Sequence, residues 1–398
     1  MRESFGMAES LTCWAARAAR QAALAAHVVA IAVAMAHLTC AFGISRSIHA
    51  IHALATMRTP WIDTAKGIGI CLVVYGHVAR AIMASGIASG DPVLTSIDAM
   101  IYSFHMPLFF FLAGFLFPAT LERHGVKGTL ARKFDTVAYP YVVWSIVQGS
   151  LEVLLSKWTN GHTTVTEVLQ LFLAPRAQFW FLFALFMIEL VATPLYRLTS
   201  RRWYPLLALI AFPGAAGLFD ANVLGTPHLW YVQKYFFLFA CGSIVKGFEP
   251  RLFSSRRWLL APTLLAFMIA QWMVLRGLPD ATHRQEIAQS ATALGFAAMS
   301  LPFVLVASMN LSDLKLPWLS AIGVASFPIY LAHVLTAAGV RIALTKAFHV
   351  HDMRVHLILG CFAGVVLPML LHRASRRAPL AWLFEPPRLV AMSKWQTA

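Results

Sequence analysis

A succession of apolar runs, each about as long as a bilayer is thick, constrains this chain more than any other feature. A helix needs roughly 20 residues to cross the hydrocarbon core. Runs of that order lie at 61–83, 96–117, 134–155, 178–196, 203–220, 229–247, 258–275, 288–308, 318–340 and 355–373. The expected fold is therefore all-α, a polytopic integral membrane bundle of about ten transmembrane helices. Composition agrees: of 398 residues, 59% are hydrophobic and only 12% charged, far from the balance of a soluble domain.

A formal charge of +15 invites a nucleic-acid reading. That reading needs a basic face, whereas lysine and arginine here sit in short links between apolar runs. Alternate links differ sharply. One set holds Arg58, Arg123, Lys127, Arg132, Lys133, Arg197, Arg201, Arg202, Lys246, Arg251, Arg256, Arg257, Lys315, Arg373, Arg376, Arg377, Arg388 and Lys394; the opposite set holds Arg80, Lys157, Arg176, Arg276, Arg284, Arg341, Lys346 and Arg354, fewer than half as many. By the positive-inside rule, both ends of the ten-helix unit face the cytoplasm of a multi-pass plasma membrane, the inner membrane if the cell is bacterial. The bilayer is the expected partner, and nucleic acid is not. Cys13, Cys40, Cys71, Cys241 and Cys361 are odd in number and widely spaced, so no disulfide framework and no metal site is expected.

Residues 1–57 form an alanine-rich extension with an apolar run near Ala22 to Phe42. It reads either as an extra hydrophobic helix or as sequence upstream of a start at Met57. The patterned membrane region covers 58–375, and 376–398 reads as a cytoplasmic tail. Between 156 and 177 an apolar piece, Val165 to Leu173, is too short to span and is expected at the interface.

Chemistry concentrates in the first run. Asp63, Lys66 and His77 stand inside it, and an ionisable group at bilayer depth marks a functional site by default. At about 100° per residue, the eleven steps from Lys66 to His77 leave about 20° of offset, with Asp63 about 40° from His77. The three share one stripe roughly 20 Å long. Asp63 lies too far along the helix to touch His77 and is expected to pair with Lys66. A helix entering from the cytoplasm at Trp61 carries His77 about 24 Å along its axis, toward the outer face.

Further candidates follow. Tyr102 and His105 precede Pro107 in the second run, where a proline frees a carbonyl and permits a kink. Trp180 opens a later run at the outer interface. Ser326, Tyr330 and His333 fall at steps of four and three, on one helical face. Such a polar stripe faces protein or water rather than lipid. Arg123, Lys127, Arg132 and Lys133 crowd one inner link, as topology charges or as a site for an anionic group. The sequence contains no GxSxG, HExxH, CxxC or phosphate-cradling glycine loop.

With these residues in view, the chain resembles the membrane-bound acyltransferase-3 family, and within it the fucose 4-O-acetylase-like sugar O-acetyltransferases. DTAKGIGICLVVYGH is similar to the first-helix motif, a basic residue, ten residues, then histidine, here Lys66 and His77. SFHMPLFFFLAGFLF resembles the second-helix motif and KFDTVAYPYVVW the third-helix segment; FWFLFALF and ASFPIYLAH resemble later helices. Many members carry arginines three apart where the third helix begins, whereas Arg132 and Lys133 are followed here by Asp135 and Thr136.

The resemblance implies transfer of an acyl group, usually acetyl from cytoplasmic acetyl-CoA, to a sugar hydroxyl of an envelope or surface polysaccharide or its lipid-linked precursor. It implies His77 as general base or transient acyl carrier, with Lys66 and Asp63 in support. Tyr102, His105, Trp180, Ser326, Tyr330 and His333 would then meet the acceptor, and Arg123, Lys127, Arg132 and Lys133 the anionic donor. The alternative is a transporter or flippase of a glycan or small anion. Transporters often pair interrupted helices in two related halves, a pairing this sequence does not display.

Overall fold

In the computed structural model, which describes residues 59–156, 164–170, 175–199, 201–215, 229–276, 291–377 and 379–394, every regular element is helical. The chain runs through α1 (Pro60–Ala84), α2 (Pro92–Tyr102), α3 (His105–Lys133), a π-helical turn (Phe134–Ala138) and α4 (Tyr139–Leu154). It continues through α5 (Val165–Leu169), α6 (Trp180–Leu198), α7 (Tyr204–Ala215), α8 (Leu229–Lys246), α9 (Glu249–Arg276) and α10 (Ala291–Leu311). The last helices are α11 (Pro317–Val324), α12 (Ser326–Lys346) and α13 (Met353–Ser375).

Among the described residues, seven helical stretches are long and apolar enough to cross a membrane. One of them, Pro92–Leu154, is a near-continuous 63 residues and joins two of the ten expected runs. The run expected at 203–220 is described only as the 12-residue α7. That at 229–247 is the 18-residue α8, which carries Lys234 and Lys246. The expectations for 1–57 lie outside the described residues. Of the interfacial piece, α5 is described; Thr164 and Glu167 close a capping box at its start.

Local chemistry explains where helices begin. Pro60 and Pro92 occupy first helical positions, where a missing N–H costs nothing. Asp91 accepts from the backbone of Val93 and Leu94 at 2.9 Å, and Asp352 from Arg354 and Val355 at 2.8 and 3.1 Å, each capping the helix that follows. Two helices break where the sequence carries Ser-Phe beside proline. Ser103 and Phe104 separate α2 from α3, with Pro107 in the first turn of α3; Ala325 separates α11 from α12, with Pro328 in the first turn of α12.

Residues Thr59–Leu316 and Ser320–Ala398 form one compact unit. The other unit, Met1–Arg58 with Pro317–Leu319, is described only at those last three residues, which open α11. Within the large unit α1 packs against α3, α10, α12 and α13. Small residues permit close crossings, as they do in membrane bundles generally. A Cβ on Gly323 would lie 1.8 Å from the carbonyl oxygen of Asp63. Where α3 crosses α8, a Cβ on Gly114 would lie 1.9 Å from the Phe239 carbonyl, and one on Gly242 2.1 Å from that of Phe111. Ser243 fastens the crossing by donating to the Gly114 carbonyl at 2.9 Å.

The segment after α13 does not trail away. Tyr139 donates to the Trp382 carbonyl at 2.8 Å and Trp144 to that of Leu383 at 2.6 Å. The carboxylate of Asp135, in the π-helical turn, accepts from the backbone N–H groups of Met392 and Ser393 at 2.8 and 2.9 Å and from the Ser393 hydroxyl. The tail thus docks where the family pattern has its second arginine.

Gly114→Leu is expected to lower the melting temperature of the detergent-solubilised protein, at a cost of about 1–3 kcal/mol or more, because backbone leaves the added atoms no room. Gly339→Ala, which meets open space, is expected to leave it unchanged. Equal melting of the two variants would contradict the crossing.

Candidate functional site

The helix breaks aim side chains inward. His105 begins α3 immediately after the first break, and its Nδ1 hydrogen-bonds the Ile101 carbonyl at 2.8 Å. Its ring is buried and stands 5.3 Å from that of Tyr102. Two turns after the second break, His333 of α12 is fully buried, with Nδ1 at 2.8 Å from the Tyr330 carbonyl and 3.1 Å from that of Ile329. His77 comes in from α1, half-buried, its ring centroid 5.0 Å from that of His333 at an interplanar angle of 69°. Three helices therefore bring two of the sequence's candidate histidines into contact and set the third beside Tyr102.

Arg80 links these parts. Sequence reasoning counted it among outer-loop charges, but α1 continues past it to Ala84. Its Nε lies 3.2 Å from Asp98 of α2 and donates to the Gly76 carbonyl at 3.0 Å, and its guanidinium stands 5.1 Å over the ring of Tyr102. One ion pair thus fixes α2, and Tyr102 with it, against the turn of α1 that carries His77.

On the far side of His333 the polar stripe of α12 meets α6. The Tyr330 hydroxyl donates to the Gln178 carbonyl, and its ring lies 5.5 Å from that of Phe181. Phe181 neighbours Phe110 at 4.8 Å, and Phe110 stacks on Tyr235 at 4.3 Å. Trp180 stacks on Tyr231 at 4.6 Å. Lys234, buried between these tyrosines in sequence, sits 4.8 Å over Trp230 and 5.9 Å over Tyr235. Ser326 opens α12, one turn before Tyr330, and is half-buried.

The other end of α1 is built differently. Trp61 donates to Glu249 at 3.0 Å, and Glu249 pairs with Lys246. Asp63 and Lys66 are half-buried in the first two turns of α1. Of the four basic residues on the expected donor side, Arg123, Lys127 and Arg132 are exposed. Lys133 instead turns inward and pairs with Glu189 of α6, whose side chain is fully buried. Lys133 is thereby committed to a protein partner, a position different from that of the other three.

Glu189, Asp98 and Lys234 escaped the sequence reading. The signal was present, since each is an ionisable residue within an apolar run, the same rule that singled out Asp63 and Lys66. Among the described residues no group of three or more His, Cys, Asp or Glu is arranged to hold a metal ion.

The model of an acyltransferase domain matches residues 59–373. No curated protein and no solved structure matches the chain.

Lys133→Ala would strand the buried Glu189 carboxylate and is expected to destabilise the protein by about 3–5 kcal/mol. The double change Lys133→Leu with Glu189→Leu removes both charges and is expected to melt above the single variant. A double variant that melts no higher than Lys133→Ala would show that the pair is not the source of the loss.

Proposed function

This chain belongs to the acyltransferase-3 family, and on that premise we propose that it moves acetyl from acetyl-CoA to a sugar hydroxyl of an envelope or surface polysaccharide or its lipid-linked precursor. It is a membrane acyltransferase with several apolar helices long enough to span. The observation that carries the finer reading is the half-buried His77, set against His333 one turn before Arg80, which pairs with Asp98 and lies over Tyr102.

A sugar hydroxyl is a weak nucleophile at neutral pH. The neutral imidazole of His77 takes its proton as the hydroxyl oxygen attacks the thioester carbonyl. The C–O bond forms, the C–S bond breaks, and the imidazolium returns the proton to the departing thiolate. The same residue serves a two-step route, in which its nitrogen attacks the thioester carbonyl as the C–S bond breaks and the thiolate leaves, and the hydroxyl oxygen then displaces the imidazole, its proton passing to the thiolate. Trapping of labelled acetyl on His77 without acceptor separates the routes.

The aromatic faces of Trp180 and Tyr231, with Lys234 and the Tyr102–His105 pair, form the acceptor side. Arg123, Lys127 and Arg132 are exposed on the second half of α3 and suit the phosphates of the donor. Along α1, Trp61 and His77 are about 24 Å apart, so the donor's thioester arm enters from the basic, inner end while the acceptor arrives from the outer one.

His77→Ala, at matched membrane abundance, is expected to reduce acetyl on surface glycan by a factor of about 10²–10⁴. Undiminished acetylation would remove His77 from the chemistry. Loss of glycan export at unchanged acetylation per sugar would favour transport instead. Replacing Arg123, Lys127 and Arg132 together by alanine is expected to raise the KM for acetyl-CoA about tenfold or more while kcat changes little. A fall in kcat alone would place the donor elsewhere.

A further inference from the structure

His333 carries an acceptor atom that the fold has prepared and left open. Its Nδ1 faces two backbone carbonyls, those of Tyr330 at 2.8 Å and Ile329 at 3.1 Å. Carbonyl oxygens only accept, so Nδ1 holds the ring's proton, and the neutral imidazole presents its lone pair at Nε2. Nε2 is buried and, among the described residues, has no hydrogen-bond partner, a costly state for a polar atom in an apolar bundle. Beside it stands His77, with ring centroids 5.0 Å apart. The rings meet edge to face, at an interplanar angle of 69°, so a turn of the His77 side chain is what brings its N–H to Nε2.

Exposure separates the two rings. His77 is half-buried and His333 is fully buried, so a ligand reaching the site meets His77 first. We propose that His333 is a positioning residue for His77: its Nε2 accepts the N–H of His77 and so directs the lone pair of the other His77 nitrogen into the site.

The consequence is a fixed tautomer. An isolated imidazole divides between two neutral forms, and only one has its lone pair toward the reacting atom. With His333 accepting, His77 meets the hydroxyl proton, or the thioester carbon, with the nitrogen that faces the site. When His77 gains a proton or an acyl group it becomes cationic, and the same contact to Nε2 strengthens because its donor is now charged. An acidic partner does this for histidine in hydrolytic triads; here a neutral, dry acceptor does so without placing a carboxylate at bilayer depth. No proton need leave His333 in either route.

The proposal rests on the acyltransfer reading for its kinetic test but not for its geometric one. In His333→Asn the side-chain amide keeps an N–H near the position of Nδ1 and loses the acceptor at Nε2. In His333→Gln the amide oxygen reaches about the position of Nε2. The expected result is a kcat about 100-fold below wild type for His333→Asn, with KM for both substrates within about twofold, and recovery to within about tenfold for His333→Gln. In a His77→Ala background, His333→Asn is expected to have no further effect. A kcat for His333→Asn within about threefold of wild type, or equal losses in the two variants, overturns the assignment.

If neither variant folds, the wild-type protein in a lipid nanodisc decides. Cryo-electron microscopy with a bound antibody fragment is expected to place a His77 ring nitrogen about 3 Å from His333 Nε2. A separation beyond 4 Å, or a water or another side chain seated on Nε2, rejects the proposal. Wild-type protein that transfers no acetyl to any glycan would defeat the functional reading and leave this distance as the test of the pair.

Discussion

A polar group at bilayer depth must find its partner inside the protein, because lipid offers none. The first helix, α1, obeys this rule at both ends. It carries Asp63, Lys66, His77 and Arg80 along 25 residues, and it is enclosed by α3, α10, α12 and α13. Neighbours must come close enough to meet its polar atoms, which calls for small residues at the crossings. Gly323, for example, lies so near the Asp63 carbonyl that a methyl group would not fit. Placing the charged helix in the interior thus dictates where the rest of the bundle is narrow.

The same rule restricts where helices can break. Interrupted backbone at membrane depth survives only where protein covers it. Both interruptions, at Ser103–Phe104 and at Ala325, adjoin the polar cluster, and each is followed within two turns by a histidine whose Nδ1 is held by a backbone carbonyl. In each case the carbonyl holds the imidazole in a fixed orientation. His105 and His333 are built alike in this respect, whereas His77 sits on an unbroken helix.

The two ends of α1 differ in chemistry for a reason that suits acyl transfer. One end gathers stacked aromatics, histidines and the Arg80–Asp98 pair, groups that on the proposed function would bind and deprotonate a hydroxyl. The other has Trp61, Glu249 and Lys246 joined in a small network, with exposed basic residues on the second half of α3. The Lys133–Glu189 pair ties the end of α3 to α6, and Asp135, two residues on, holds the C-terminal segment. The departure from the family's paired arginines thus has a structural use, since a carboxylate can accept the backbone N–H groups of the tail and a guanidinium cannot.

Sequence alone determined that the chain is an all-helical membrane protein, because run length and charge placement report directly on the bilayer. It also determined which residues are anomalous in an apolar helix, so Asp63, Lys66, His77, His105 and His333 were legible from type and spacing. Periodicity reports on one helix at a time, however. That His77 meets His333 across 256 residues of chain, that Arg80 belongs to the site rather than to a loop, and that Lys133 turns from the other basic residues to Glu189 are facts about neighbouring helices. Only the tertiary structure decided them, because packing selects which of many polar faces meet, and in lipid that choice is made by close contact between backbones rather than by any pattern along the chain.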